Sequence, residues 1–384
     1  MKKRVASLAL VAGAVALSFA AGAAPQWQGP GKAPKWSGPG VPHAMFMHPA
    51  PGPAVNYPQG HTPAASLAQW NGSFTDLKGH SITYTMVGAD PATSNAETHI
   101  KVFLIPVVFT YGPSNGNMTL DPRVDGTGVF KTKSVMKALL KSPIFDPGAD
   151  FKSGNIDCGT GQYIDIYQRC NFWSSVSTNT GYHTILDITK EKHLKPMKLD
   201  VSAAQGTIMA NPFGDGVVGT YPYSTFQGNA NSYISAHTQW ITPDTFPFFI
   251  SYDVYLTSGG CCIGGYHNRL GSHGTGQTYG YTTYVDHDNS FSEDVSAVAH
   301  EVGEWLDDPF VDNHVFCQDN SIMENGDPLV PVGQYGTFEQ KLHGKIWHPQ
   351  SLVFIPYFGA PTSISANGWT ALHNDLNGGV CPGQ

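Results

Sequence analysis

His300-Glu301-Val302-Gly303-Glu304 differs in one residue type from H-E-x-x-H, the helical signature of zinc hydrolases. In that signature two histidines one turn apart hold the metal, and the intervening glutamate is the general base on the metal's water. Here His300 and Glu301 match and Glu304 replaces the second histidine. A carboxylate at i+4 reaches the same metal from the same helix face. It also adds negative charge, which makes the metal's water less acidic and lets calcium or manganese compete with zinc. A third ligand must come from elsewhere. Glu324, Asp327, Asp308 and His267 are the candidates.

These side chains need a helix to present them. Val295, Val298, Ala299, Val302 and Leu306 recur at i, i+3, i+4, i+7 and i+11, a helical apolar stripe. His300 and Glu304 lie opposite that stripe, so one face is expected to bury while the other faces a cleft. Ser292 is the expected N-cap, with Glu293 and Asp294 at the positive end of the helix. Asp307-Asp308-Pro309 is the expected stop, since a residue before proline leaves helical space.

Other clusters carry weaker signals. His267 and His273 lie in a glycine-rich stretch, where loop histidines with backbone partners are the commoner case. Asp286-His287-Asp288-Asn289 is rich in oxygen ligands but lacks the glycine and distal glutamate of an EF-hand loop, so a turn is expected there. No G-x-S-x-G elbow is present, which argues against a serine hydrolase. Six cysteines and no C-x-x-C pair favour disulfides over a thiolate zinc site. Cys158 with Cys170 is the most local pairing; adjacent Cys261 and Cys262 are expected to pair outward to different partners.

The chain opens with Lys2-Lys3-Arg4, an apolar run to about Ala20 and Ala21-Gly22-Ala23, the pattern of a cleaved signal peptide over residues 1–23. Residues 24–65 read as a Pro/Gly-rich linker with an imperfect repeat, Trp27-Gln28-Gly29-Pro30-Gly31 and Trp36-Ser37-Gly38-Pro39-Gly40. Residues 66–384 show no composition break and read as one α+β domain. Its expected strands are 98–111, 183–188, 197–201 and 246–256, and its expected helices 131–140 and 292–307. The apolar spacing of 163–173 fits a helix or a strand. No other segment is long enough to span a membrane. The 21 basic residues, three of them in the leader, stand against 29 acidic ones, so nucleic acid is a poor partner.

Ala299-His300-Glu301-Val302-Gly303-Glu304, then Asp308-Pro309-Phe310, then Glu324-x-Gly326-Asp327-Pro328, resembles a group of secreted bacterial proteins that carry S/A-H-E-h-x-E, D-P and E-x-G-D-P blocks, h being apolar. Gln162-Tyr163-x-Asp165-x-x-Gln168-Arg169-x-Asn171-Phe172-Trp173 and Cys261-Cys262-Ile263-Gly264-Gly265-Tyr266-His267 also look similar to that group. A more distant similarity is to the plant exordium-like (phosphate-induced) proteins. The resemblance spans about residues 155–330. It implies a zincin-like core with a mixed sheet, a central metal-site helix and a loop-rich C-terminal part. His300 and Glu304 would be ligands and Glu301 the base, Glu324 or Asp327 would complete the site, and His267 would be a ligand or oxyanion-side donor. The expected function is a secreted zinc peptidase-like hydrolase acting on extracellular polypeptide or another cell-surface substrate. The rival is a non-catalytic module on the same scaffold that binds cell-surface carbohydrate or protein.

Overall fold

The computed structural model describes residues 26–47, 49–55, 57, 66–124, 134–286, 291–317 and 321–382. The signal-peptide reading falls on residues outside these, as does most of the Asp286–Asn289 stretch.

The fold is α+β. Its spine is the fifteen-residue strand Glu97–Tyr111. Thr245–Tyr252 pairs with it in parallel on one side, and His183–Ile188 pairs in parallel with its first half. Met197–Val201 pairs in parallel with its second half. Pro106, which offers no N–H to a ladder, sits between the stretches paired to these last two strands, where its cost is least. Thr245–Tyr252 is buried at every position, as a strand covered on both faces must be. Gln277–Tyr284 continues the sheet in parallel, and Gly265–Leu270 closes that side as an antiparallel strand. A smaller four-stranded sheet holds Ile208–Ala210, Val217–Pro222, Val254–Thr257 and Cys261–Ile263.

The helix Ser296–Asp307 packs on Gln277–Tyr284 and Gly265–Leu270. Its apolar stripe enters the main core with Trp305, which stacks on Phe246 at 4.0 Å and donates to Thr278 Oγ1 (3.0 Å). The helix Tyr163–Asn171 lies against it, and the Tyr167 hydroxyl donates to Asp307 (2.9 Å). The 163–173 stretch is therefore helical, followed by a short turn of helix at Trp173–Val176.

Several expectations are corrected. The site helix begins after Val295, not Ser292. Asp294, at positive φ, spends its carboxylate on the Val295 and His348 amides. No face of the helix is exposed; all twelve residues are buried, because the C-terminal loops cover the polar side. The helix expected at 131–140 is described only as Val135–Leu139, capped by Ser134. The strand expected at 246–256 breaks at Asp253, whose φ is +53°, so its two halves join different sheets.

All six cysteines are bonded: Cys158–Cys170, Cys317–Cys381 and the adjacent pair Cys261–Cys262, which bond to each other rather than outward. That pair lies in an apolar cluster with Met209, Tyr255 and Phe291. Among the described residues no helix is long and apolar enough to cross a membrane.

The segment read as a linker is partly built into the fold. His43, Met45, Met47 and Gly52 hydrogen-bond along Cys261–Gly271. Trp27, Met45, Met47 and Val55 pack on one apolar cluster, and Trp36 and Phe46 on another. Apolar residues interspersed among the prolines and glycines give this stretch something to bury.

Candidate metal centre

Three segments bring the acidic and imidazole groups together. The helix supplies His300, Glu301 and Glu304; the edge strand Gly265–Leu270 supplies His267; the loop after the helix supplies Glu324 and Asp327. The loop is tied back by Asn325, whose Nδ2 donates to the Gly303 carbonyl and to Asp307 (both 3.0 Å). Asn313 adds a bond to the Asp307 carbonyl (2.6 Å). His267, His300, Glu301, Glu304 and Glu324 are buried, and Asp327 is half-buried.

Glu304 sits between the two histidines. Its Oε1 lies 2.8 Å from His300 Nε2 and accepts from the Gly326 and Asp327 amides (3.2 Å each). Its Oε2 faces His267 Nδ1 at 3.9 Å. Asp327 Oδ1 is 3.5 Å from His300 Nε2. Around His267 Nδ1 stand Glu301 Oε2 at 3.6 Å and Glu324 Oε2 at 3.9 Å. Two overlapping donor sets result, His300–Glu304–Asp327 and His267–Glu301–Glu304.

Each imidazole is anchored from behind. His300 Nδ1 is 2.6 Å from Gln350 Oε1. Gln350 uses its Nε2 to donate to the Gly326 carbonyl (3.1 Å), which identifies Oε1 as the acceptor and places a proton on His300 Nδ1. His267 Nε2 donates to the Asp308 carbonyl (2.9 Å). The other nitrogen of each ring, His300 Nε2 and His267 Nδ1, is turned towards carboxylates. An imidazole that donates one N–H to a fixed acceptor and presents the other nitrogen has the arrangement of a metal ligand.

The donor spacing agrees with that chemistry. Ligand atoms about 2.0–2.1 Å from a tetrahedral zinc stand about 3.3 Å apart; His300 Nε2 stands 2.8 and 3.5 Å from its two carboxylate neighbours. The set around His267 is wider, at 3.6–3.9 Å.

Two glycines permit the crowding. A Cβ on Gly265 would fall 2.5 Å from Glu301 Oε1, and one on Gly326 2.4 Å from His300 Nδ1. Gly326 thus lies against the His300 ring, and Phe46 stacks on that ring at 3.4 Å, with 15° between the planes.

Asp308 is no ligand in this arrangement, contrary to its place among the sequence candidates. Its carboxylate takes the Asp312 and Asn313 amides (3.0 and 3.1 Å), and only its carbonyl reaches His267. Burial, then the charge of Glu324, pushes its carboxyl well above the usual range. The neighbouring Asp307 is raised to about 7, chiefly by burial and further by Glu324, against the lowering effect of the Asn325 and Tyr167 hydrogen bonds. So many carboxylates in one buried volume demand protons or a cation. His273, the other loop histidine, pairs with Asp312 (2.9 Å) away from this cluster.

Gln350 and Phe46 were not anticipated from sequence. Nothing around His348-Pro349-Gln350 marks an orienting amide. Met45-Phe46-Met47, an apolar triplet inside a Pro/Gly-rich tract, was a legible sign that this part of the tract packs.

No known protein family, curated protein or solved structure matches this chain.

Proposed function

We propose that the protein is a secreted, zincin-like metal-dependent hydrolase of peptidase type, with zinc held by His300 Nε2, Glu304 and Asp327 and with Glu301 as general base. The observation that carries this reading is the back-anchoring of both imidazoles, His300 by Gln350 and His267 by Asp308, with their remaining nitrogens aimed into one buried set of carboxylates. Zinc is favoured over calcium because each donor set contains an imidazole nitrogen, which calcium seldom takes. When bound, zinc supplies Lewis acidity that polarises a carbonyl and acidifies water.

The chain's own residues have defined tasks. Gln350 keeps the His300 proton on Nδ1, leaving Nε2 to bind. Glu301 takes up a proton from water, its Oε2 standing 3.6 Å from His267 Nδ1. The C-terminal loops and Phe46 keep bulk water off the donors. Compared with the sequence expectation, Asp327 is the third ligand, and Glu324 and His267 stand together on the other side of Glu304.

One observation favours a second reading, a non-catalytic binding module: the donors are buried and Phe46 covers the His300 ring. Elemental analysis of the purified protein beside His300→Ala tests the metal site. One equivalent of zinc, lost in the variant, is expected; no zinc in either protein after supplementation refutes the centre. Glu301→Gln separates the readings, since a hydrolase keeps metal and loses turnover whereas a binding module is indifferent.

A further inference from the structure

The segment over the site is held as an added β-strand. The His43 amide donates to the Cys261 carbonyl (2.8 Å), and Cys262 donates to the His43 carbonyl (2.7 Å). Met45 donates to Cys262 (3.0 Å) and accepts from Gly264 (3.1 Å). Met47 donates to Gly265 (3.4 Å), and Gly52 exchanges bonds with Arg269 and Gly271 (2.9 and 3.1 Å). The bridges Met45–Ile263 and Gly52–Leu270 are parallel. Main-chain pairing of this kind is independent of sequence, so the same row of N–H and C=O groups can receive any extended chain.

The side chains add position. Pairing sets Phe46 on the His300 imidazole and against Phe291 (5.1 Å). Beside it opens a cavity of about 510 Å³ lined by Phe46, Asp327, Val330, Tyr357, Leu376 and Val380, among others. Its lining is mostly apolar, with Asp327 its one acidic side chain. An extended chain paired along 261–265 therefore passes over His300 and has an apolar recess for the side chain next to it.

We infer that the 261–265 edge is the docking strand for an extended polypeptide with a large apolar or aromatic residue at the position of Phe46, and that residues 43–47 are an internal occupant that a substrate must displace. This rests on the hydrolase reading only in naming the bound chain a substrate; the docking itself is independent of metal. A tethered strand competes at an effective concentration in the millimolar range, which weakens binding of a free peptide by about tenfold or more.

The test uses the full mature chain and a fluorescent synthetic peptide with the sequence of residues 42–52. Three proteins are compared by fluorescence anisotropy: wild type, Met45→Pro, which removes the Met45 N–H, and Phe46→Ala, which removes the ring and leaves the backbone pairing. Peptide binding at least tenfold tighter to either variant than to wild type is expected, with no such gain for a peptide carrying alanine in place of the phenylalanine. Equal affinity for all three proteins overturns the proposal. Zinc content is measured on the same samples. If Met45→Pro melts early, the Phe46→Ala comparison decides. Tighter peptide binding without zinc sinks the hydrolase reading and leaves the docking strand standing; zinc retained with unchanged peptide binding does the reverse.

Discussion

Replacing Gly265 by alanine puts a methyl group where Glu301 already stands. The added Cβ would lie 2.5 Å from Oε1, 2.6 Å from Cγ and 2.9 Å from Cδ of Glu301. Ordinary contacts at such atoms are about 3.5 Å, so the side chain must retreat by roughly 1 Å. A free carboxylate tip would swing aside, but Cγ is near the helix backbone, Glu301 is completely buried, and its helix is fixed by Trp305 against Phe246. Overpacking of this kind costs about 1–3 kcal/mol. Unfolding entropy of about 2.1 cal/mol/K per residue gives about 0.7 kcal/mol/K for a body of about 320 residues, so Tm should fall by about 1.5–4 °C. The assay is a double-mutant cycle of wild type, Gly265→Ala, Glu301→Ala and the double variant, by thermal and urea unfolding. Truncating Glu301 removes the three atoms nearest the methyl, so the cost of Gly265→Ala should drop below about 0.5 kcal/mol in that background. An equal cost in both backgrounds would refute the reasoning and place the demand for glycine in the backbone instead.

Gln350→Leu should lower zinc affinity by about 10–100-fold with the three ligands intact, because His300 loses the acceptor that fixes its tautomer; competition with a chromophoric chelator measures it, and unchanged affinity would discredit the anchoring role. Loss of the Cys317–Cys381 bond, which spans 64 residues, should destabilise by about 4 kcal/mol, against about 3 kcal/mol for Cys158–Cys170 across 12, if unfolded-chain entropy governs; denaturant melts of the two double-serine variants would show the order, and a reversed order excludes that account. His183 is raised above its usual pKa by its hydrogen bond to Asp165, the largest cause, with partial burial opposing. The stability it contributes is then complete below about pH 6.5 and disappears as pH climbs through the raised folded value. The stability gap between wild type and His183→Gln should accordingly narrow from pH 5.5 to 8.5, and a gap that stays constant or widens contradicts the ion pair.

Much of the frame could be read in advance. Val295, Val298, Ala299, Val302 and Leu306 announced the site helix because a 3.6-residue period survives any tertiary context. The long strand was legible because its middle, residues 102–109, is wholly apolar and largely buried, as a parallel strand covered on both faces requires. Covering of the helix's polar face was not legible, since it depends on loops between 308 and 354 that carry no period. His267, Glu324 and Asp327 could be nominated but not placed. Only the pairing of Gly265–Leu270 with Gln277–Tyr284 and the Asn325 bonds to the helix bring them to His300 and Glu304. The Cys261–Cys262 bond went unforeseen because consecutive residues stand closer than the usual Cα span of a disulfide, which makes outward pairing the ordinary expectation.

Glu304 gives the departure from H-E-x-x-H its own logic. One of its oxygens addresses His300 and two loop amides; the other addresses His267. A histidine there would offer one lone pair where the carboxylate offers two oxygens, one taking the Gly326 and Asp327 amides and the other standing on the His267 side. The helix letter at i+4 is thus dictated by a residue more than thirty positions upstream. Where an edge strand brings its own imidazole to such a helix, a glutamate at i+4 fits the loop amides and a histidine would not, so a pattern search that demands the second histidine would pass over clusters of this kind.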